Sequence, residues 1–101
     1  MDLKTLTEKS EKVLKAYTTK FAIKPNGDWY ILKLQEELGE LIQIYLMLTG
    51  RARAKGKTKQ EIEGEFRKEM VDVLGMLLLL AKYHKIDMNK HLEEKWFKWI
   101  K

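Results

Sequence analysis

Two pairs of acidic residues stand three positions apart within strongly apolar stretches of the chain. Glu37 and Glu40 occur in LQEELGELIQIYLML, and Glu69 and Asp72 occur in FRKEMVDVLGMLLLL. This spacing places both members of a pair on one face of an α-helix. Carboxylates on apolar faces cost free energy unless a partner neutralises them, and hard cations accept oxygen ligands. The four residues therefore predict a Mg²⁺ site, or a Mn²⁺ site, suited to phosphate chemistry.

Helical phase indicates that these acids point inward rather than into solvent. At about 100° per residue, Glu37 lies inside the apolar arc of its helix, and Glu40 lies just past the edge of that arc. Glu69 falls among apolar residues of its own helix, and further apolar residues follow Asp72 on its face. Either pair alone would favour salt bridges to lysines across a bundle interface. Two pairs on apolar faces favour a shared cation instead.

The segments that must position these acids have helical signals. Asp2 can cap a first helix that runs to about Lys20, and the sequence KPNGD predicts the turn that follows it. A second helix is expected from about Asp28 to Thr49, and Gly50 is placed to end it. The first acid pair therefore lies within this second helix.

The rest of the chain also has helical signals. Thr58 and Glu61 form a T-x-x-E capping box, which predicts a third helix running to about Lys85. Asp87 can cap a short fourth helix that continues to the C-terminus. No segment alternates with a two-residue period, so we predict an all-α, four-helix bundle-like subunit forming a single domain over residues 1–101. A loop of about eight residues makes the second and third helices antiparallel neighbours, so the acid pairs should meet.

Composition excludes several classes of protein. The chain contains no cysteine, so disulfides and thiolate metal sites are absent. Its polar, charged start is unlike a signal peptide, and the longest apolar run, Val73 to Ala81, is about half of a bilayer span. We expect a cytoplasmic protein that does not enter the membrane. The second helix is apolar around most of its circumference, so we also expect a homodimer or tetramer with its sites near the subunit interfaces.

Basic residues form two clusters apart from the acids. RARAKGKTK, from Arg51 to Lys59, contains no acidic residue, and Lys95, Lys98 and Lys101 lie at the end of the chain. This separation suits an anionic ligand that contacts a metal at one end and basic side chains at the other. The alternative interpretation is a solvated basic loop and a frayed tail.

The motif EELGEL, followed on the next predicted helix by EMVDVL, resembles the MazG-like nucleotide pyrophosphohydrolases. The resemblance covers roughly Trp29 to Lys101 and implies an all-α enzyme. Matched position by position, it implies that four residues bind Mg²⁺, namely Glu37, Glu40, Glu69 and Asp72. It also implies that Glu36 orients or deprotonates the attacking water.

The same resemblance implies a reaction. Such enzymes hydrolyse nucleoside triphosphates, NTP or dNTP, at the α-phosphate to the monophosphate and pyrophosphate, which implies a role in clearing the nucleotide pool. Lys95 matches a lysine that contacts the substrate in many members. Trp99 stands where an arginine is common, so Lys98 or Lys101 would have to replace that contact. The resemblance implies the reaction type and leaves the base open.

Trp29 and the two histidines lie outside the acid pairs. Trp29 could lie over a nucleobase, or it could pack the start of its helix against a neighbour. Neither His84 nor His91 shows the E-x-x-H spacing of di-iron bundles, so both are expected on the surface. The alternative function is a basic helical module that binds nucleic acid or another partner without catalysis. RARAKGKTK lacks interleaved aromatic residues, which argues against nucleic acid as the partner. A non-catalytic module would also leave the inward acids unexplained.

Overall fold

The computed structural model describes all residues from Met1 to Lys101 and contains helices but no strand. The elements are α1 at Leu3–Lys20, α2 at Gly27–Leu48, α3 at Lys59–Tyr83, α4 at Met88–Lys95 and a 3₁₀ turn at Phe97–Trp99. The prediction of an all-α chain with four helices is therefore confirmed. None of the helices combines the length and the apolar character that a membrane crossing requires.

Side-chain caps set the helix starts. Asp2, Asn26 and Asp87 each accept a hydrogen bond from a backbone N–H in the first turn of the helix that follows. Thr58 and Glu61 form the predicted capping box, with reciprocal hydrogen bonds of 3.0 and 3.1 Å. The start of α2 falls slightly earlier than predicted, because Asn26 of the turn provides the cap.

The three long helices end alike, with a residue in the left-handed region. Gly50 has a φ of +74° after α2, as its position predicted, and Ala22 and Lys85 have φ values of +53° and +56° after α1 and α3. In each case the next N–H bonds to a carbonyl five residues earlier, which is the pattern of a Schellman motif. Ala22 and Lys85 pay a steric cost that glycine avoids.

The fourth helix ends before the predicted position. α4 stops at Lys95, and the Trp99 N–H bonds to the Trp96 carbonyl at 3.0 Å in a tight 3₁₀ turn. Consecutive bulky aromatic residues such as Trp96 and Phe97 continue an α-helix poorly, and 3₁₀ turns are frequent at helix ends. Because α4 packs chiefly on this turn, the three long helices form the packed body of the subunit.

The antiparallel pairing of α2 and α3 fixes the register of the site. At one end of this hairpin the rings of Tyr30 and Tyr83 lie 4.8 Å apart, and at the other end those of Tyr45 and Phe66 lie 6.1 Å apart. Both acid pairs fall between these contacts, at similar depth along the two helices. The predicted antiparallel arrangement is confirmed, and α1 packs across α3 beside the hairpin.

The core of the chain is small. Tyr30, Met76 and Leu79 form its centre, and only 8 of the 101 residues are buried. A stripe along each hairpin helix remains 40 to 53% exposed, and we call these residues together the open apolar face: Ile31, Leu38, Ile42, Tyr45, Met70, Leu74 and Leu77.

Helical phase places both stripes of the open apolar face on one side of the hairpin. On each helix, the stripe is rotated by about a quarter turn around the helix axis from the residues that contact the other helix. The direction of this rotation, seen from the start of the helix, is the same for both helices. Because the helices are antiparallel, these two equal rotations put both stripes on the same side of the hairpin. The residues of α3 that face α1, including Gly75 and Leu79, are offset in the opposite sense. One side of the hairpin is therefore covered by α1, and the other side is uncovered.

Candidate metal centre

Three carboxylates from two helices converge at the middle of the hairpin. Glu37 and Glu40 extend from successive turns of α2, and Glu69 extends from α3. One oxygen of each lies within 4.8 Å of the others, which is close enough for a single ion to contact all three. The structure thus brings together three of the four predicted ligands.

Asp72, the fourth predicted ligand, lies at the border of this group. Its side chain is exposed, and it lines a cleft that adjoins the carboxylates. Its negative charge raises the pKa values of Glu37 and Glu69, so it is close enough to act on both. Asp72 could therefore complete a cation site from its solvent side.

Two oxygens of the site are buried without a hydrogen-bond donor. They are Oε2 of Glu37 and Oε2 of Glu69, and no other buried side-chain nitrogen or oxygen of the chain lacks a partner. Burying a polar atom without a hydrogen bond costs free energy, so such atoms need an explanation. A divalent cation that accepts oxygen ligands would satisfy both atoms, and the residues present therefore fit Mg²⁺ or Mn²⁺.

The negative charges of neighbouring carboxylates raise the pKa values of Glu37 and Glu69. Burial, followed by the negative charges of Glu40 and Asp72, raises the pKa of the Glu37 carboxyl from its ordinary value of 4.5 to about 7. Burial and the same two charges also raise the pKa of the Glu69 carboxyl. A bound cation would reverse this effect, because it favours the ionised form of each ligand.

Glu36, which is predicted to orient or deprotonate the attacking water, lies outside the group of three. Its side chain is 55% exposed, and its Oε1 accepts a hydrogen bond of 3.1 Å from Lys33 Nζ. The same ammonium lies 3.7 Å from Oε1 of Glu37. Burial lowers the pKa of Lys33, but the hydrogen bond to Glu36 and the charges of Glu36, Tyr17 and Glu37 outweigh burial and raise it overall.

Lys33 was not anticipated from the sequence, although the sequence contains a signal for it. It precedes Glu36 by three positions and Glu37 by four, so the pattern K-x-x-E-E puts one ammonium beside two carboxylates on a helix. Such pairs are common on exposed helices, where they contribute little free energy. Only the packing shows that this lysine is largely covered, with a side chain 22% exposed.

A cleft of about 390 Å³ opens beside the carboxylates, between α1, α2 and α3. Its walls are mainly apolar and include the rings of Tyr17 and Trp29, and Lys33 is the only cation among the lining residues. Trp29 also packs edge-on against Tyr30, with 5.3 Å between the ring centroids. Trp29 also packs against the small core around Met76 and Leu79, and its contact with a nucleobase stays a prediction.

The predicted phosphate-binding lysines lie apart from the carboxylates within one subunit. Lys95 and Lys98 are exposed at the C-terminal end of the chain and do not line the cleft. Lys98 Nζ lies over the ring of Trp99, 5.2 Å from its centroid. Substrate contacts by Lys95 and Lys98 stay predictions.

Part of the basic loop is neutralised locally. Lys57 Nζ forms an ion pair of 2.6 Å with Glu65, and the guanidinium of Arg51 lies 5.3 Å from the centroid of the Tyr45 ring. These contacts stabilise the end of the hairpin. Two basic residues of the loop therefore have partners within the chain.

In comparisons with known proteins, no family model matches the chain, and no curated protein or solved structure matches it.

The choice of metal at the site follows from the ligand atoms, which are carboxylate oxygens alone. His84 and His91 are exposed, as expected, and lie outside the group. A set of hard oxygen donors suits Mg²⁺ or Mn²⁺ better than a metal that prefers imidazole or thiolate.

Proposed function

We propose that this protein is a Mg²⁺-dependent nucleotide pyrophosphohydrolase. It would convert an NTP or dNTP and water to the monophosphate and pyrophosphate, and so clear unwanted nucleotides from the cytoplasm. The observation that carries this proposal is the convergence of Glu37, Glu40 and Glu69, with two buried oxygens that lack a donor. The resemblance of EELGEL and EMVDVL to the MazG-like enzymes supports the reaction type.

Different residues of the chain would have different roles in this reaction. Glu37, Glu40, Glu69 and Asp72 would hold Mg²⁺, which when bound neutralises phosphate charge and lowers the pKa of a coordinated water. Glu36 lies one helical turn before Glu40 at the solvent side of the group. From there its carboxylate would orient the attacking water and accept its proton.

The cleft supports a nucleoside as the organic part of the substrate. It adjoins the carboxylates and presents the faces or edges of Tyr17 and Trp29 within mainly apolar walls. Aromatic side chains stack on the π-face of any nucleobase, and apolar clefts with few polar groups are typical of small-molecule sites. The base would therefore occupy the cleft, and the phosphates would extend toward the carboxylates.

The proposal includes assembly as a homodimer or a larger homo-oligomer. The open apolar face is a contiguous exposed surface of a kind that monomeric proteins rarely keep. Pairing two copies through it would enclose four helices around a shared core in a closed, two-fold arrangement. Because the carboxylates open toward the α1 side, such a dimer would place its sites on the outer surfaces, away from this interface. That position differs from the sequence-based expectation of sites near the subunit interfaces.

The decisive experiment is a panel of canonical and modified NTPs and dNTPs with Mg²⁺ or Mn²⁺. We expect the monophosphate and pyrophosphate in equal amounts, and no orthophosphate. Glu40→Ala should remove this activity, and Glu8→Ala, which removes an exposed acid of α1, should retain it. Failure of the wild-type protein to hydrolyse any nucleotide with either metal would refute the proposed function and favour a non-catalytic binding role.

A further inference from the structure

Lys33 lies at the junction of the carboxylates and the cleft. Its ammonium contacts Glu36 at 3.1 Å and Glu37 at 3.7 Å, and it lies 5.8 Å from the centroid of the Tyr17 ring. The only other lysine paired with a carboxylate is Lys57, which lies near the hairpin loop. Lys33 is thus the one cation that the fold places against the proposed metal ligands.

The two oxygens of the Glu37 carboxylate have different surroundings. Oε1 lies 3.7 Å from the ammonium, whereas Oε2 is buried and has no hydrogen-bond donor. Glu36 and Glu37 each lie three or four positions from both Lys33 and Glu40, so the four residues share one strip along α2. The ammonium therefore lies at one end of this strip and contacts Glu37, which is the nearest of the proposed ligands on α2.

On the basis of the proposed function, we infer that Lys33 is a positioning residue for hydrolysis. It holds Glu36 at the edge of the site, in place to orient water, and it turns the free oxygen of Glu37 toward the cation. The same positive charge opposes the binding of a divalent cation nearby. Lys33 therefore has two separable effects: it weakens metal binding, and it favours the chemical step.

Lys33→Met tests both effects, because methionine keeps an unbranched side chain and removes the charge. Lys12→Met is the matched control, since Lys12 is an exposed residue of α1 that forms no ion pair and does not line the cleft. Mg²⁺ and Mn²⁺ affinities are measured by calorimetry without nucleotide. Initial rates then give kcat and KM for the best nucleotide of the panel, and circular dichroism confirms folding.

For Lys33→Met we expect metal binding to tighten by about threefold to tenfold, because a nearby positive charge is removed. We expect kcat to fall about 10- to 100-fold from misplacement of Glu36, with little change in KM. Lys33→Arg, which keeps the charge, should recover most of the lost kcat. Lys12→Met should match the wild-type protein in every measurement.

Equal behaviour of the Lys33→Met and Lys12→Met variants would overturn the inference. So would a rise in KM with unchanged kcat, because Lys33 would then bind the substrate directly rather than position Glu36. If the methionine variant does not fold, Lys33→Gln replaces it in the same measurements. If the wild-type protein hydrolyses no nucleotide, the proposed function fails. The metal affinities still decide whether Lys33 acts on these carboxylates.

Discussion

Glu37 on α2 and Glu69 on α3 face each other across the hairpin, and each has one buried oxygen without a hydrogen-bond donor. Their negative charges share this space with Glu40. The hairpin therefore contains a local electrostatic cost at its centre, between the aromatic contacts at its two ends. Removing one of these charges should change stability in a direction that depends on the metal.

Glu69→Gln should stabilise the metal-free protein, because it removes a buried charge and supplies an amide donor for a neighbouring oxygen. We expect the free energy of unfolding in EDTA to rise by about 1 kcal/mol. The same variant should lose most of the increase in melting temperature that Mg²⁺ gives the wild-type protein. Thermal melting with and without Mg²⁺ measures both effects, and Glu8→Gln is the control. A lower melting temperature for Glu69→Gln in EDTA would contradict this account.

The stability of the metal-free protein should fall as pH rises from about 5 to 8. The pKa of Glu37 is about 7 in the folded protein and 4.5 ordinarily, so the folded state binds the proton more tightly. This contribution is complete below pH 4.5 and is lost as pH rises through about 7. Urea unfolding in EDTA across this range gives the slope. Glu37→Gln should flatten it, and a slope that persists in this variant would assign the effect to other groups.

Loss of either acid on the solvent side of the site should abolish hydrolysis without unfolding the chain. We expect Glu40→Ala and Asp72→Ala each to lower kcat/KM by about 10³-fold or more, because metal-held charge stabilisation contributes several kcal/mol. Lys95→Ala should have a smaller effect, about tenfold, since Lys95 lies outside the cleft. Helical circular dichroism checks the fold. Normal turnover in Asp72→Ala would remove Asp72 from the site.

Ile42→Asp should convert the assembled protein to a monomer, because it puts a charge at the middle of the open apolar face. Leu32→Asp is the control on the same helix. Leu32 is 63% exposed but lies outside that face. Light scattering should give at least twice the 12.0 kDa subunit mass for the wild-type protein and for Leu32→Asp. A 12.0 kDa wild-type protein at high concentration would exclude this assembly.

Ala22→Gly should stabilise the protein by about 1 kcal/mol, since glycine adopts the left-handed region without steric cost. Ala16→Gly makes the same chemical change at an exposed position within α1. There we expect a loss of about 0.5 to 1 kcal/mol, because glycine weakens a helix interior. Denaturant unfolding of both variants tests the opposite signs. Loss of stability in both would mean that the end of α1 adopts another conformation in solution.

The local features of the fold could be predicted because they depend on neighbouring residues. The cap at Asp2, the capping box at Thr58 and Glu61 and the end of α2 at Gly50 each involve contacts within one turn of a helix. The convergence of the acid pairs could also be predicted, since a short loop between two long helices leaves few arrangements. Helical phase alone then determines which acids face inward.

Other features depend on contacts that helical spacing does not determine. The ion pair between Lys33 and Glu36 depends on the rotamers of two long side chains and on the covering ring of Tyr17. α4 ends at Lys95 and a 3₁₀ turn follows it, although no glycine or proline marks this position in the sequence. Whether Lys95 reaches a substrate depends on where the C-terminal tail packs, which helical spacing does not determine.

The open apolar face lies on the side of the hairpin away from α1, whereas the carboxylates lie between the two helices and open toward the α1 side. No side chain of the hairpin has to serve both surfaces, so substitutions on one side are free to accumulate while the other keeps its chemistry. The residues on one side of the hairpin can therefore be changed without changing those on the other side. An engineered version could link two copies in tandem, or seal the open apolar face with a designed helix, and still leave the acids on the α1 side unaltered.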